Sequence, residues 1–472
     1  MSVRQRFIRD VLNPIDHWRA GDQAKVRFLE EFERSQFLPL QDLQALQIER
    51  LRALLDHAYS RCPFYKETFD RSKVAPQAFK TLEDLNTFPI LEKRDIQNRR
   101  DSIVAEGWPR EDLIHNYTGG STGAPLTFFL SHERACSRWA ATIRHNRWAG
   151  WDLGDRVAYL WGALADVPQS TWRQKLRQAV LEPQIFLNTA HVTEENLAEF
   201  HKAMHRFRPK VVLAYARSAA LFARFLRERA LPAYEPEAIV TTAEVLEPDD
   251  QAVIEEVFGC RVFNRYGCRE VSIIASECEQ HQGLHTMAEG LYLEIVRAGE
   301  PARPGEEGEI LVTDLLNLAM PLIRYRIGDV GAWEAGSCPC GRQLPRLKKL
   351  AGRATDFLVG HDRRLVSGPF LTLAAVGKRP SIGQLQIRQS RIGQVQFRIV
   401  RGPRFQDPDD LEFLQQTARA YLGESTDVEW EFVEELTSEA SGKFLFCVSQ
   451  VSPDFLAGAA RPPAPRAAPQ TS

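Results

Sequence analysis

Along the first hundred residues the apolar positions recur at helical spacing. Leu51, Leu54, Leu55 and Ala58 share one face, and Arg50, Arg52 and Asp56 are left for water. Pro63, in Cys62-Pro63-Phe64-Tyr65, ends that helix, because a residue before proline is pushed out of the α region. Thr81-Leu82-Glu83-Asp84-Leu85 opens a further capped helix, and Pro89 marks the next break. From about 111 to 352 short β-rich runs alternate with helical stretches. Strands are expected over 156–160, 211–215, 238–242, 261–264, 291–296 and 309–312, with amphipathic helices over 219–229 and 249–257 between several of them. This alternation predicts an α/β architecture with largely parallel sheets.

Beyond 352 the character changes. Residues 384–387 and 395–399 alternate apolar and polar side chains, so one face of each run meets solvent. A helix is expected over 408–422, with Asp407 as N-cap and Pro408 in its first turn, then a strand over 428–433. The chain thus divides into an N-terminal helical part (1–110), a core (111–352), a small α+β unit (353–456) and an Ala/Pro-rich, disordered tail (457–472).

Composition narrows the function classes. The 472 residues have a formal net charge of -2, with acids and bases interspersed, so no global field draws the chain to nucleic acid or anionic lipid. No run of about 18 apolar residues offers a membrane span. The basic residues at the N-terminus have no apolar stretch behind them, which argues against a signal peptide. Eight cysteines in such a chain read as reduced thiols of a cytoplasmic protein.

The most informative stretch is Tyr117-Thr118-Gly119-Gly120-Ser121-Thr122-Gly123-Ala124-Pro125. Its glycines let main-chain amides approach an anion, and its hydroxyls add donors, so it can cradle phosphate. No Lys-Ser or Lys-Thr pair follows the last glycine, which separates it from the Walker A loop. In the company of later motifs it resembles the phosphate-binding signature of the adenylate-forming superfamily, the acyl-CoA synthetases and adenylation domains. Thr241-Thr242-Ala243-Glu244 looks like that superfamily's adenine-contacting segment. Arg265-Tyr266-Gly267-Cys268-Arg269-Glu270 resembles its Tyr-Gly-x-Thr-Glu motif, and Ile323-Arg324-Tyr325-Arg326-Ile327-Gly328-Asp329 its Tyr-Arg-x-Gly-Asp motif. Gly352-Arg353-Ala354-Thr355-Asp356 looks like the hinge, and Ser441-Gly442-Lys443 like the terminal lysine motif. Cys62 to Tyr65 and the segment from Phe88 to Asp95 are similar to phenylacetate–CoA ligases and to capsular polysaccharide biosynthesis proteins.

The resemblance implies a large adenylate-forming domain with mixed or parallel sheets and a small mobile C-terminal α+β domain. It also implies a two-step reaction: ATP with Mg2+ activates a small carboxylic acid as acyl-AMP, and CoA then takes the acyl group. On this reading Thr118, Gly119, Gly120, Ser121, Thr122 and Gly123 hold phosphates, and Ala243, Glu244, Tyr266 and Gly267 line the adenine site. Asp329 clamps the ribose, Glu270 binds Mg2+, Arg353 reaches the nucleotide and Asp356 is the hinge. Lys443 brings an ammonium to the reacting carboxylate. Arg269 stands where threonine is usual, which alters the contact expected near the α-phosphate. Two rival outcomes are transfer to an amine or hydroxyl acceptor in capsule or envelope biosynthesis, and a non-catalytic nucleotide-binding scaffold.

A separate constellation is Cys278, His281, Cys338 and Cys340, two close ligands from each of two loops, which suits structural Zn2+. His285 is an alternative to His281, and unmetallated thiols are the other reading. Closed coordination leaves no position for water, so no chemistry is expected there.

Overall fold

The computed structural model describes residues 3–117, 126–161, 179–189, 193–353, 357–363, 365–368, 371–372, 375, 379, 381–402, 404–436 and 447–452. The expected N-terminal helix runs over Leu40–Arg61. Cys62 is extended, as its position before proline requires, and Pro63 opens the next helix, Pro63–Ser72, where a missing N–H costs nothing. The capped segment near Thr81 is a single 3₁₀ stretch, Leu82–Thr87, in which Asp84 accepts from the Thr81 amide at 2.8 Å.

A hairpin of β1 (Ile114–Tyr117) and β2 (Thr127–Leu130) precedes the main sheet. The sheet is built from β3 (Val157–Trp161), β4 (Gln184–Asn188), β5 (Val211–Tyr215), β6 (Ala238–Thr242), β7 (Arg261–Cys268) and β8 (Ser272–Glu277). To these are added β9 (Leu284–Thr286), β10 (Leu291–Arg297), β11 (Glu300–Pro301), β12 (Gly308–Asp314), β13 (Tyr325–Trp333) and β14 (Arg346–Arg353). The strand order is β11-β10-β12-β13-β14-β9-β8-β7-β6-β5-β3-β4. From β4 to β7 neighbours are parallel; from β7 to β11 they are antiparallel. The expectation of largely parallel sheets therefore holds for one half, and the whole is mixed. The parallel half is apolar nearly throughout because helices Glu194–Phe207, Ala216–Glu228 and Pro248–Phe258 connect its strands and cover them.

The C-terminal strands have a core of their own. After β15 (Phe357–Val359) and β16 (Leu365–Ser367), β17 (Ile382–Arg391), β18 (Gln394–Arg401), β19 (Asp427–Phe432) and β20 (Cys447–Ser449) form a sheet in the order β19-β18-β17-β20. Leu385, Ile387, Phe397 and Ile399 pack on Leu414 and Ala418 of helix Asp409–Leu422. That helix starts one residue later than expected: Asp407 does not cap it but pairs with Arg401 at 2.9 Å. The tail over 457–472 lies outside the described residues.

Buried ion pairs fasten the elements around the main sheet. Arg134 meets Asp314 at 2.7 Å, Arg144 meets Glu289 at 2.6 Å, and Arg324 meets Glu294 at 2.9 Å. Arg324 also donates to the carbonyls of Asn86 and Phe88, tying the N-terminal layer to the sheet. Such pairs stabilise little against an apolar replacement of both members, but breaking one strands a charge. Arg144→Met is accordingly expected to cost about 3–5 kcal/mol of folding stability, because Glu289 stays buried; urea denaturation checks this.

Candidate active site

The parallel strands end along one edge, where open α/β sheets bind ligands. Trp161 closes β3 and Tyr215 closes β5, their rings 4.6 Å apart. Next to them the chain leaves β6 through Ala243, a non-glycine residue in the left-handed region with φ of 68°. Glu244 follows and accepts from the amide of Arg217 at 3.0 Å, so it caps the start of helix Ala216–Glu228 while lying in the expected adenine segment.

β7 brings Tyr266 and Gly267 to this edge. The Tyr266 ring is buried, and its hydroxyl donates to Asp329 on β13 at 2.7 Å. Burial, followed by the nearby Asp329 charge, drives the Tyr266 pKa well up, which keeps the hydroxyl a donor at neutral pH. At Gly267 a Cβ would stand 2.5 Å from the Ser272 carbonyl oxygen, so no side chain fits. A register shift at this point turns the chain toward Glu270. Glu270 is buried in the turn between β7 and β8 and accepts from the Tyr325 hydroxyl at 3.1 Å. The motifs around 266 and 329 thus meet through two phenol–carboxylate hydrogen bonds.

Arg353, the last residue of β14, stands opposite Asp329 in register. The Arg269 guanidinium lies 5.9 Å from the centre of the Tyr117 ring, beside the start of the expected phosphate loop. Thr118, Gly119, Gly120, Ser121, Thr122 and Gly123, the expected hinge residue Asp356 and Lys443 lie outside the described residues. Cys268 is no nucleophile at neutral pH, since burial, aided by Glu270, pushes its thiol pKa well up.

Sequence reasoning missed Arg138. It sits on helix His132–Trp148, donates from Nη2 to the Arg269 carbonyl at 2.5 Å, and has a buried Nη1 with no hydrogen-bond partner among the described residues. Burial, then Arg134, lowers its pKa to about 10, and Cys268 and Glu270 are among the groups whose charge it feels. Only its placement fifteen residues after Gly123 hinted at this, since an arginine on a helix ordinarily faces water.

The thiol cluster assembles with one change of ligand. Sulfur or ring nitrogen atoms of Cys278, His285, Cys338 and Cys340 all lie within 4.8 Å of one another. His281 is not among them: its Nδ1 lies 3.2 Å from a Glu277 oxygen and its ring packs on Phe263. His285 takes the place instead, because β9 pairs it with Arg346 and points it at the Cys338–Cys340 loop. Its Nδ1 is 3.3 Å from the Leu344 carbonyl, the bond that leaves Nε2 for a ligand. Burial lowers the His285 pKa to about 4, so the ring is neutral at pH 7. Cys278 and Cys340 each accept from the amide two residues on, at 3.5 and 3.4 Å. Against the effect of burial, Arg342 and the neighbouring thiols lower the Cys340 pKa.

The comparisons fit this geometry. The family model "AMP-binding enzyme" matches residues 39–317, and "CapK C-terminal domain" matches 358–450. The chain belongs to the AMP-binding enzyme family. Among this family's curated members it is 29% identical to a phenylacetate-coenzyme A ligase of Thermus thermophilus, over 68% of this chain and 73% of that protein. It is 24% identical to Protein CapK of Staphylococcus aureus, over 87% of this chain and 90% of that one. A solved 2-hydroxyisobutyryl-CoA ligase in the postadenylation state, in complex with R3-HIB-AMP, shares the AMP-binding fold with a TM-score of 0.68. It is 19% identical, and the match covers 89% of this chain and 92% of that one.

Gly267→Ala is expected to lower stability by at least about 2 kcal/mol through overpacking against main chain that cannot yield. Thermal unfolding of the purified variant checks it.

Proposed function

We propose that this chain is an AMP-forming acid–thiol ligase that uses ATP to make an acyl-adenylate and passes the acyl group to CoA. The observation that carries the proposal is the convergence of Tyr266, Asp329 and Glu270 at the strand ends of an AMP-binding fold. In this reading Asp329 accepts the ribose hydroxyls, a role an ionised carboxylate suits because it takes two such bonds at once. Tyr266 holds that carboxylate from behind and offers its ring to the adenine, with Ala243 and Glu244 at the base edge. Main-chain amides and hydroxyls from Thr118 to Gly123 hold the phosphates, and Arg269, next to Tyr117, adds a cation at their side.

The donor set suits magnesium. Glu270 is a single buried carboxylate, and this ion is commonly held by one or two carboxylates plus substrate phosphates. Bound there, it would supply charge neutralisation on the triphosphate. Lys443 supplies an ammonium to the developing negative charge at the α-phosphate, Arg353 contacts the nucleotide, and Asp356 lets the small domain turn between half-reactions. Pyrophosphate exchange with a panel of carboxylic acids tests this. Lys443→Ala is expected to lose at least about 100-fold in exchange while still binding ATP, the scale of losing one transition-state contact. Exchange at the wild-type rate removes Lys443 from the mechanism.

A second acceptor class is favoured by one observation: the CapK C-terminal model matches 358–450, and the CapK relative covers more of this chain than the Thermus ligase does. AMP release driven by CoA, compared with amine or sugar acceptors, separates the two readings.

The four-atom cluster of Cys278, His285, Cys338 and Cys340 is read as a structural Zn2+ site, with amide donors to sulfur and a neutral imidazole in support. Elemental analysis is expected to find one zinc per chain, and a strong chelator to lower the unfolding temperature. Zinc-free protein of unchanged stability removes the assignment.

A further inference from the structure

The N-terminal helical rod, which precedes the residues matched by the AMP-binding family model, is built inside out. It passes through Val3–Phe7, Ile8–Leu12 and Asn13–Arg19, and the junction residues Phe7, Leu12 and Asn13 all keep α-region backbone. The face against the body carries Gln5, Ile8, Asn13 and His17, all buried. Ile8 lies over Gly154, where a Cβ would come within 3.2 Å of it; Arg9 pairs with Asp152 at 3.4 Å; and His17 meets Trp139 edge-on at 4.7 Å. The outer face holds the large apolar residues: Phe7 is 52% exposed, Val11 39%, Ile15 44% and Trp18 69%. A surface helix ordinarily shows the opposite arrangement. A continuous apolar stripe on a rod of roughly 25 Å marks a contact surface rather than scattered exposure.

Charge selects the occupant. Arg6 is exposed at one end of the stripe and Arg19 at the other. Over the rod Arg4, Arg6, Arg9 and Arg19 stand against Asp10 and Asp16, and Asp10 is engaged by Arg9 at 2.6 Å. A second copy laid antiparallel would set Arg6 against Arg19, and a parallel copy would set like arginines side by side. Both pairings oppose like charges. An anionic lipid surface complements both ends and takes up the stripe, with the Trp18 indole suited to the headgroup boundary. We propose that this rod lies flat on anionic membrane surfaces and makes the enzyme a peripheral, salt-sensitive membrane binder. It does so without a span: among the described residues no helix is long and apolar enough to cross a bilayer.

The test is co-sedimentation of the full chain with vesicles of phosphatidylcholine alone or mixed with phosphatidylglycerol. Binding is expected only to the mixed vesicles and should weaken as salt rises. Phe7→Ser with Trp18→Ser is expected to cut the bound fraction about tenfold, and Arg6→Glu with Arg19→Glu to abolish binding, both with pyrophosphate exchange and unfolding temperature unchanged. Failure to bind mixed vesicles, or equal binding by the double serine variant, overturns the proposal. So does a wild-type dimer in sedimentation velocity that the serine variant makes monomeric, since the stripe is then a subunit interface.

Discussion

A strand pairing too close for any side chain governs the working edge of this molecule. β7 is the last of the parallel strands and the first to take an antiparallel partner, and Gly267 lies in β7 just before the chain reverses into β8. Because β7 and β8 close on each other there without a Cβ, Tyr266 stays in the sheet while Glu270 lies in the turn beyond it. Each then meets a group from β13, Asp329 or Tyr325. The two halves of the sheet are thereby joined at the place where the expected ligand contacts gather.

Much of this was legible before any coordinates. The parallel strands were marked by short apolar runs, and β5 and β6 coincide with the ranges read from periodicity. The antiparallel half was harder, since β8, β9 and β14 carry no clean alternation and are recruited by pairing with neighbours. Asp407 failed as a helix cap because a nearby arginine competed for its carboxylate. At the candidate site the motif residues were found by resemblance, whereas Arg138 was not. Its burial depends on a helix packing across the β7–β8 turn, which no local pattern records.

The thiol cluster illustrates the same limit. Spacing placed three cysteines together but could not choose between two histidines four residues apart. The choice rests on strand pairing: His285 lies on β9, whereas His281 lies in a turn with positive φ and faces Phe263. The cluster also reaches the N-terminal layer, since Leu43 and Trp148 pack against Cys278 and Cys338. Arg342, beside Cys340, continues the link by donating to Gln36 at 2.9 Å. Distant parts of the chain are thus stitched at a point well separated in sequence from the phosphate loop.

The β7–β8 turn is anchored through its main chain. At position 269 Arg138 donates to the main-chain carbonyl, and the Arg269 guanidinium lies beside the Tyr117 ring. Position 269 carries a long side chain beside Tyr117, in contrast to position 267, where a Cβ would stand 2.5 Å from the Ser272 carbonyl oxygen. Side-chain chemistry and bare backbone thus sit two residues apart, the one in the turn and the other near the end of β7.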